Sequence, residues 1–212
     1  MPNWNQNSAI ITHEDPAQID RLVNGFKNER LFGEFLPCPK ELLDMGSPLS
    51  DAEQAEANVE KYGASDWYQW CINNWGTKWD VGEESDGIDR VDDNKVKLSF
   101  DTAWGPPIAF YEYLDEELDF EITAFYLEEG QGFAGKYSSE SGDESFNFDG
   151  SEDLEDIPDD IREFWDLDTI CQWRADEEED DDTVEDDADE DDTESDEDAE
   201  RQDGETPDGK KS

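Results

Sequence analysis

The chain has 212 residues, with 63 Asp and Glu against 15 Lys and Arg, for a net charge of −48. Phosphate contacts need Lys and Arg, so this balance excludes direct, non-specific binding to DNA, RNA or an anionic membrane and favours a basic partner. Three scattered cysteines (Cys38, Cys71, Cys171) and one histidine, His13, supply no disulfide framework, zinc pattern or iron–sulfur ligand set, so no cofactor and no metal is expected.

Ser8 to His13 carry a β-branched run that reads as a first strand. Pro16 opens a helix whose apolar residues Ile19, Leu22, Val23 and Phe26 recur at i, i+3, i+4, i+7. Leu31 to Pro39 is apolar but interrupted by Pro37 and Pro39, which predicts an extended link. Lys40 to Met45 suits a helical turn. Ser50 with Glu53 forms a capping box for an exposed helix to Tyr62. Asp66 to Asp80 holds four of the eight tryptophans, Trp67, Trp70, Trp75 and Trp79, with Gly76 placed to end a helix. Those rings, with Trp104 and Phe133, are expected in the core.

Lys95 to Thr102 alternates, with Val96, Leu98 and Phe100 on one side, and is a half-buried strand. A turn at Ala103–Pro107 leads into a helix to about Glu117, then a strand over 119–127. Phe133 to Tyr137 pairs back as a hairpin. Residues 138–156 read as an acidic linker, and Ile157 to Trp173 as a helical segment that either docks back on the domain, the favoured reading because exposed tryptophans are costly, or serves as a short partner-binding helix. Residues 176–200 contain 19 Asp and Glu and no Lys or Arg, so 175–212 is expected to be a disordered acidic tail. No secretory signal and no bilayer-spanning apolar run is present, which predicts a soluble, cytoplasmic protein.

The order strand, helix, helical insertion, strand, helix, strand is that of an α+β, ferredoxin-like split βαβ sandwich. Four stretches carry a resemblance: Met1–Trp4, Trp70–Asp80, Phe100–Pro107 and Gly132–Gly135. Together they resemble the Api92-like/YubB family of phages and plasmids, over residues 1 to about 137. The resemblance implies a ferredoxin-like topology and a mobile-element origin, with no iron–sulfur chemistry and no catalytic activity to carry over. Asn5 departs from the family pattern, where a cysteine is expected in many relatives.

Asn73, Asn74, Lys78, Asp101, Trp79 and Trp104 are the candidate binding residues. Lys78 with Asp80 or Asp101 is the arrangement an acid–base cleft would need, while helix capping and turn formation are the preferred roles for these polar groups. The carboxylates Glu83, Glu84, Asp86, Asp89, Asp92 and Asp93 lack the spacing of a calcium loop. Without a nucleophile motif or phosphate loop, a non-enzymatic binding protein is expected. Its partner would be a basic host protein or nucleic-acid-binding protein, engaged by an acidic surface that imitates nucleic acid. The alternative is that the acidity is adaptation to high salt.

Overall fold

The computed structural model describes residues 3–82, 87–148 and 150–182 of the chain. Strand β1 (Trp4–Thr12) is central, because its inward residues Ala9 and Ile11 are fully buried. It begins before the Ser8 that the sequence predicts. Asn5 and Asn7 take the inward positions there, and two buried amides conceal the alternation. Asp15 accepts a hydrogen bond from Ala17 N at 2.9 Å and caps α1 (Pro16–Lys27), whose Ile19, Leu22 and Phe26 turn onto the sheet.

Four short helices form the insertion: α2 (Leu31–Phe35), α3 (Lys40–Leu43), α4 (Ala52–Tyr62) and α5 (Trp67–Trp75). Residues 31–35, expected to be extended, are helical, because the carboxylate of Asp80 accepts the N–H groups of Phe32 and Gly33 at 2.9 and 2.8 Å. The cap of α4 is Asp51, which accepts from Gln54 N at 3.1 Å, one residue beyond the expected Ser50.

Then follow β2 (Gly87–Asp92), β3 (Lys95–Ala103), α6 (Ile108–Leu118), β4 (Glu121–Glu128), β5 (Phe133–Ser138) and β6 (Gly142–Asn147). The sheet order is β2-β3-β1-β4-β5-β6, and every neighbouring pair is antiparallel. Its first four strands, with α1 and α6 as crossovers, are the ferredoxin-like split βαβ arrangement, which β5 and β6 extend.

One face of the sheet packs on the helices through Val96, Leu98, Phe100, Ile122 and Ala124. Phe32 is the hub of that core, its ring 4.8 Å from Phe110, 5.7 Å from Trp75 and 6.2 Å from Phe100. Because side chains alternate along a strand, Phe125 and Leu127 point to the other face. There a second cluster gathers Leu127, Ala134, Phe148, Leu154, Ile161 and Leu167. It seats α7 (Asp159–Trp165) and the start of α8 (Leu167–Asp182), with Phe164 stacked on Phe125 at 4.3 Å. The island at 157–173 is therefore docked, as two helices broken at Asp166, whose φ is +51°.

The stretch 138–156 is corrected from an acidic linker. It pairs β6 to β5, and it buries Phe148 and Leu154 completely or nearly so. The described residues up to Arg174 make one compact unit, and residues 175–182 beyond it are helical. The rest of the expected tail, 183–212, lies outside the described residues, as do Glu83, Glu84 and Asp86. No helix among the described residues is long and apolar enough to cross a membrane.

Candidate functional site

Three sequence-remote segments meet at one end of the sheet. Trp4 of β1 is in register with Ala103 of β3, and Trp104 N donates to Asn3 O at 3.0 Å. The loop after α5 is fastened to the same place, since the buried Thr77 hydroxyl donates to Ala103 O at 3.0 Å. The helix end behind that loop is fixed by Gly76, in the left-handed region at φ +83°. A Cβ there would lie 2.9 Å from Ile108 N and 3.0 Å from Pro106 O. Gly76→Ala is accordingly expected to cost about 2 kcal/mol in chemical denaturation, from backbone strain plus that contact. A cost below about 0.5 kcal/mol would show that the α5–α6 junction yields freely.

The result is a surface of large apolar rings. Trp4, Trp79 and Trp104 are 49%, 40% and 47% exposed, and the rings of Trp4 and Trp79 lie 6.2 Å apart. Trp79 and Trp104 are thereby corrected from core to surface. Trp70 and Trp75 are buried as expected, Trp67 and Phe133 half so. Trp104 adopts φ +73°, a conformation that a bulky residue rarely holds and that costs of order 1–3 kcal/mol. Among the described residues, the other non-glycine residues with positive φ, Glu29, Asp119 and Asp166, all follow helix ends, where such turns are common. Trp104 follows a strand.

Lys78 lies with its ammonium 4.2 Å from the Trp79 ring centroid and 5.9 Å from those of Trp67 and Tyr68. Asp80 is engaged differently, since its two oxygens accept from Phe32, Gly33 and Val81 N–H at 2.8–2.9 Å. Burial pushes its carboxyl above the usual range, against the lowering effect of those three donors. The carboxylate is thus committed to the start of α2. Asp101 occupies the β3 face away from the helices, in register with Gln6.

Asn73 accepts from Gln69 at 2.7 Å and donates to Gly63 O at 3.5 Å, while Asn74 donates to Trp70 O at 2.8 Å, so Asn73 ties α5 to the end of α4 and Asn74 serves α5 itself. The structure therefore brings Lys78 and Trp79 together and places Trp104 at the same sheet end, while Asn73 and Asn74 are engaged within α5 and at the end of α4.

Two features there escape sequence reasoning. Trp4 joins the ring surface through strand register, which local pattern does not reveal. Beneath it, Asn7 Nδ2 donates to Phe100 O at 3.2 Å and Thr102 Oγ1 at 2.9 Å, and Asn5 Nδ2 donates to Asn7 Oδ1 at 3.0 Å. Polar residues at inward strand positions are the only signal of that network.

The single histidine stands at the opposite end of the sheet and is used structurally. His13 Nδ1 accepts from Asp15 N at 2.9 Å, and Nε2 lies 3.0 Å from Leu118 O, a pairing that suits the Nε2–H tautomer.

Residues 74–168 match a family model described as "Ferredoxin-like domain in Api92-like protein". No curated protein matches the chain. A crystal structure of the protein Api92 from Yersinia pseudotuberculosis is similar at 11% identity and a TM-score of 0.39, covering 71% of this chain and 99% of that one.

Proposed function

We infer that this chain, whose residues 74–168 belong to the ferredoxin-like domain family of Api92-like proteins, is a non-enzymatic binding module for a basic protein. The observation that carries this reading is the exposed ring pair Trp4–Trp79, 6.2 Å apart, at the sheet end where Trp104 is exposed and held at positive φ. Neither core packing nor backbone preference accounts for that placement, and strain of this kind tends to collect at ligand contacts. Adjoining exposed rings such as Trp4 and Trp79 are also typical of interaction surfaces.

Charge selects the partner's chemistry. A chain of net charge −48 draws cationic segments toward it. Arginine is the side chain best suited to stack on exposed indole faces. Lys78 over Trp79 shows the geometry within the protein itself. In its finer form, the partner is a host nucleic-acid-binding protein of a cell carrying a mobile element, and the acidic surface takes the place of nucleic acid in its groove.

The test is a titration of a synthetic arginine-rich peptide at physiological ionic strength, read by tryptophan fluorescence. The chain carrying Trp79→Ala and Trp104→Gly is expected to bind at least about tenfold more weakly, as loss of aromatic anchors does. A chain ending at Ala175 should stay within about threefold of the intact protein. Unchanged affinity in the tryptophan variant, with loss on truncation, would move recognition to the acidic tail. Absence of salt-sensitive binding, together with folding that requires molar salt, would leave the charge as adaptation to brine.

A further inference from the structure

The segment between α2 and α3 is fastened to α5. Trp75 Nε1 donates to Leu36 O at 2.9 Å. Cys71 precedes Trp75 by one helical turn and so shares its face. Cys38 follows Leu36 by two residues, and the prolines on either side, Pro37 and Pro39, hold it extended. Four helical residues and two extended ones each advance about 6 Å, so from the Trp75–Leu36 bond Cys38 has the reach to meet Cys71. Cys38 packs against the apolar cluster that contains Cys71, and each thiol influences the other's titration, as neighbouring thiols do. Both cysteines are free; Cys71 is buried and Cys38 is half-buried and reachable. Cys171 belongs to the other apolar cluster, on the far face of the sheet.

We propose that Cys38 and Cys71 form an oxidisable dithiol that closes to an intramolecular disulfide by exchange with a low-molecular-weight disulfide. The Cys38 thiolate attacks one sulfur of the small disulfide, whose other half leaves as a thiolate. Cys71 then attacks the Cys38 sulfur and yields its proton, and the second half leaves as a thiol. Two protein thiols and one small disulfide become one protein disulfide and two small thiols, with no other reactant. Burial raises both thiols, so the exchange speeds up with rising pH. The bridge would staple the Leu36–Pro39 link to α5 and enclose α3 and α4 in one covalent loop.

The experiment incubates the full chain with excess oxidised glutathione at about pH 8, where thiol exchange is practical. It is followed by alkylation in denaturant and peptide mass mapping. The expected product is a chain lighter by two hydrogens, with a Cys38–Cys71 linked peptide and Cys171 alkylated. Its thermal midpoint should rise by about 5 °C or more, as closure of a loop this long implies. Cys38→Ser, at the half-exposed position, should abolish both the linked peptide and the rise. A stable glutathione adduct on Cys38 with Cys71 still alkylatable would overturn the proposal. So would a disulfide to Cys171 or to a second chain, or a Cys38 that reacts only once the chain is unfolded.

Discussion

Gly135→Ala is expected to destabilise the protein by about 3 kcal/mol, toward the top of the range for overpacking a core. Gly135 of β5 stands directly opposite Tyr126 of β4. The tyrosine ring lies across the bare backbone there, so that a Cβ would fall 2.2 Å from Tyr126 Oη and 2.5 Å from Glu144 O. No small adjustment frees the space. Tyr126 is 1% exposed and its hydroxyl donates to Asp143 at 2.7 Å, which pins the ring at its far end, while Glu144 O belongs to the paired backbone of β6. Denaturant titration of the single variants and of Gly135→Ala with Tyr126→Ala would measure the coupling. In the Tyr126→Ala background the glycine change should cost less than half as much. Equal costs in both backgrounds would mean that the ring is not what forbids a side chain at 135.

Replacing Asp80 should have a comparable effect through a different mechanism. Asp80→Ala leaves three backbone N–H groups at the start of α2 and the Asp80–Val81 link without their acceptor. At about 1 kcal/mol or more for each stranded donor, the expected loss is about 3 kcal/mol. Asp80→Asn keeps one acceptor oxygen and should lose about half of that.

The pH dependence separates burial from hydrogen bonding. Burial is the largest influence on Asp80 and raises its carboxyl in the folded protein. The stability it contributes is therefore fully present below the unfolded value, near about 3.9, and is lost as pH rises through the folded value. The intact protein should gain on Asp80→Asn as pH falls from neutrality toward about 4. A gap that narrows on acidification would show that the three donors outweigh burial.

How much of this was legible in the sequence depends on where each structural cause resides. The α1 stripe and the Val96–Leu98–Phe100 alternation are local patterns, and the structure buries those faces as read. β2 and β6 left no such trace because they are the sheet's edges. Asp89, Arg90 and Val91 are exposed on β2, and β6 is mostly exposed along its length. Charged, short edge strands avoid pairing with other chains, and in doing so they shed the alternation that would announce them. The helix at 31–35 was hidden for another reason: its cap, Asp80, is 47 or 48 residues away in sequence.

The candidate surface was half visible. The segments holding Lys78, Trp79 and Trp104 stood out as motifs, but a tryptophan's bulk argued for burial, whereas its place at the strand ends decided for exposure. Trp4 and the Asn5–Asn7 network depend on register with β3, which only the assembled sheet supplies.

The reach of the family match also bears on what can be excised. The range 74–168 starts inside α5 and omits β1, which is hydrogen-bonded to β3 on one side and β4 on the other. It also omits Phe32 and Phe35, whose rings abut Phe100, Phe110 and Phe120. A polypeptide cut to those limits would have a gap through the middle of its sheet and bare aromatic surface on both sides. The portion that matches the family model is thus narrower than the portion that cooperates in folding.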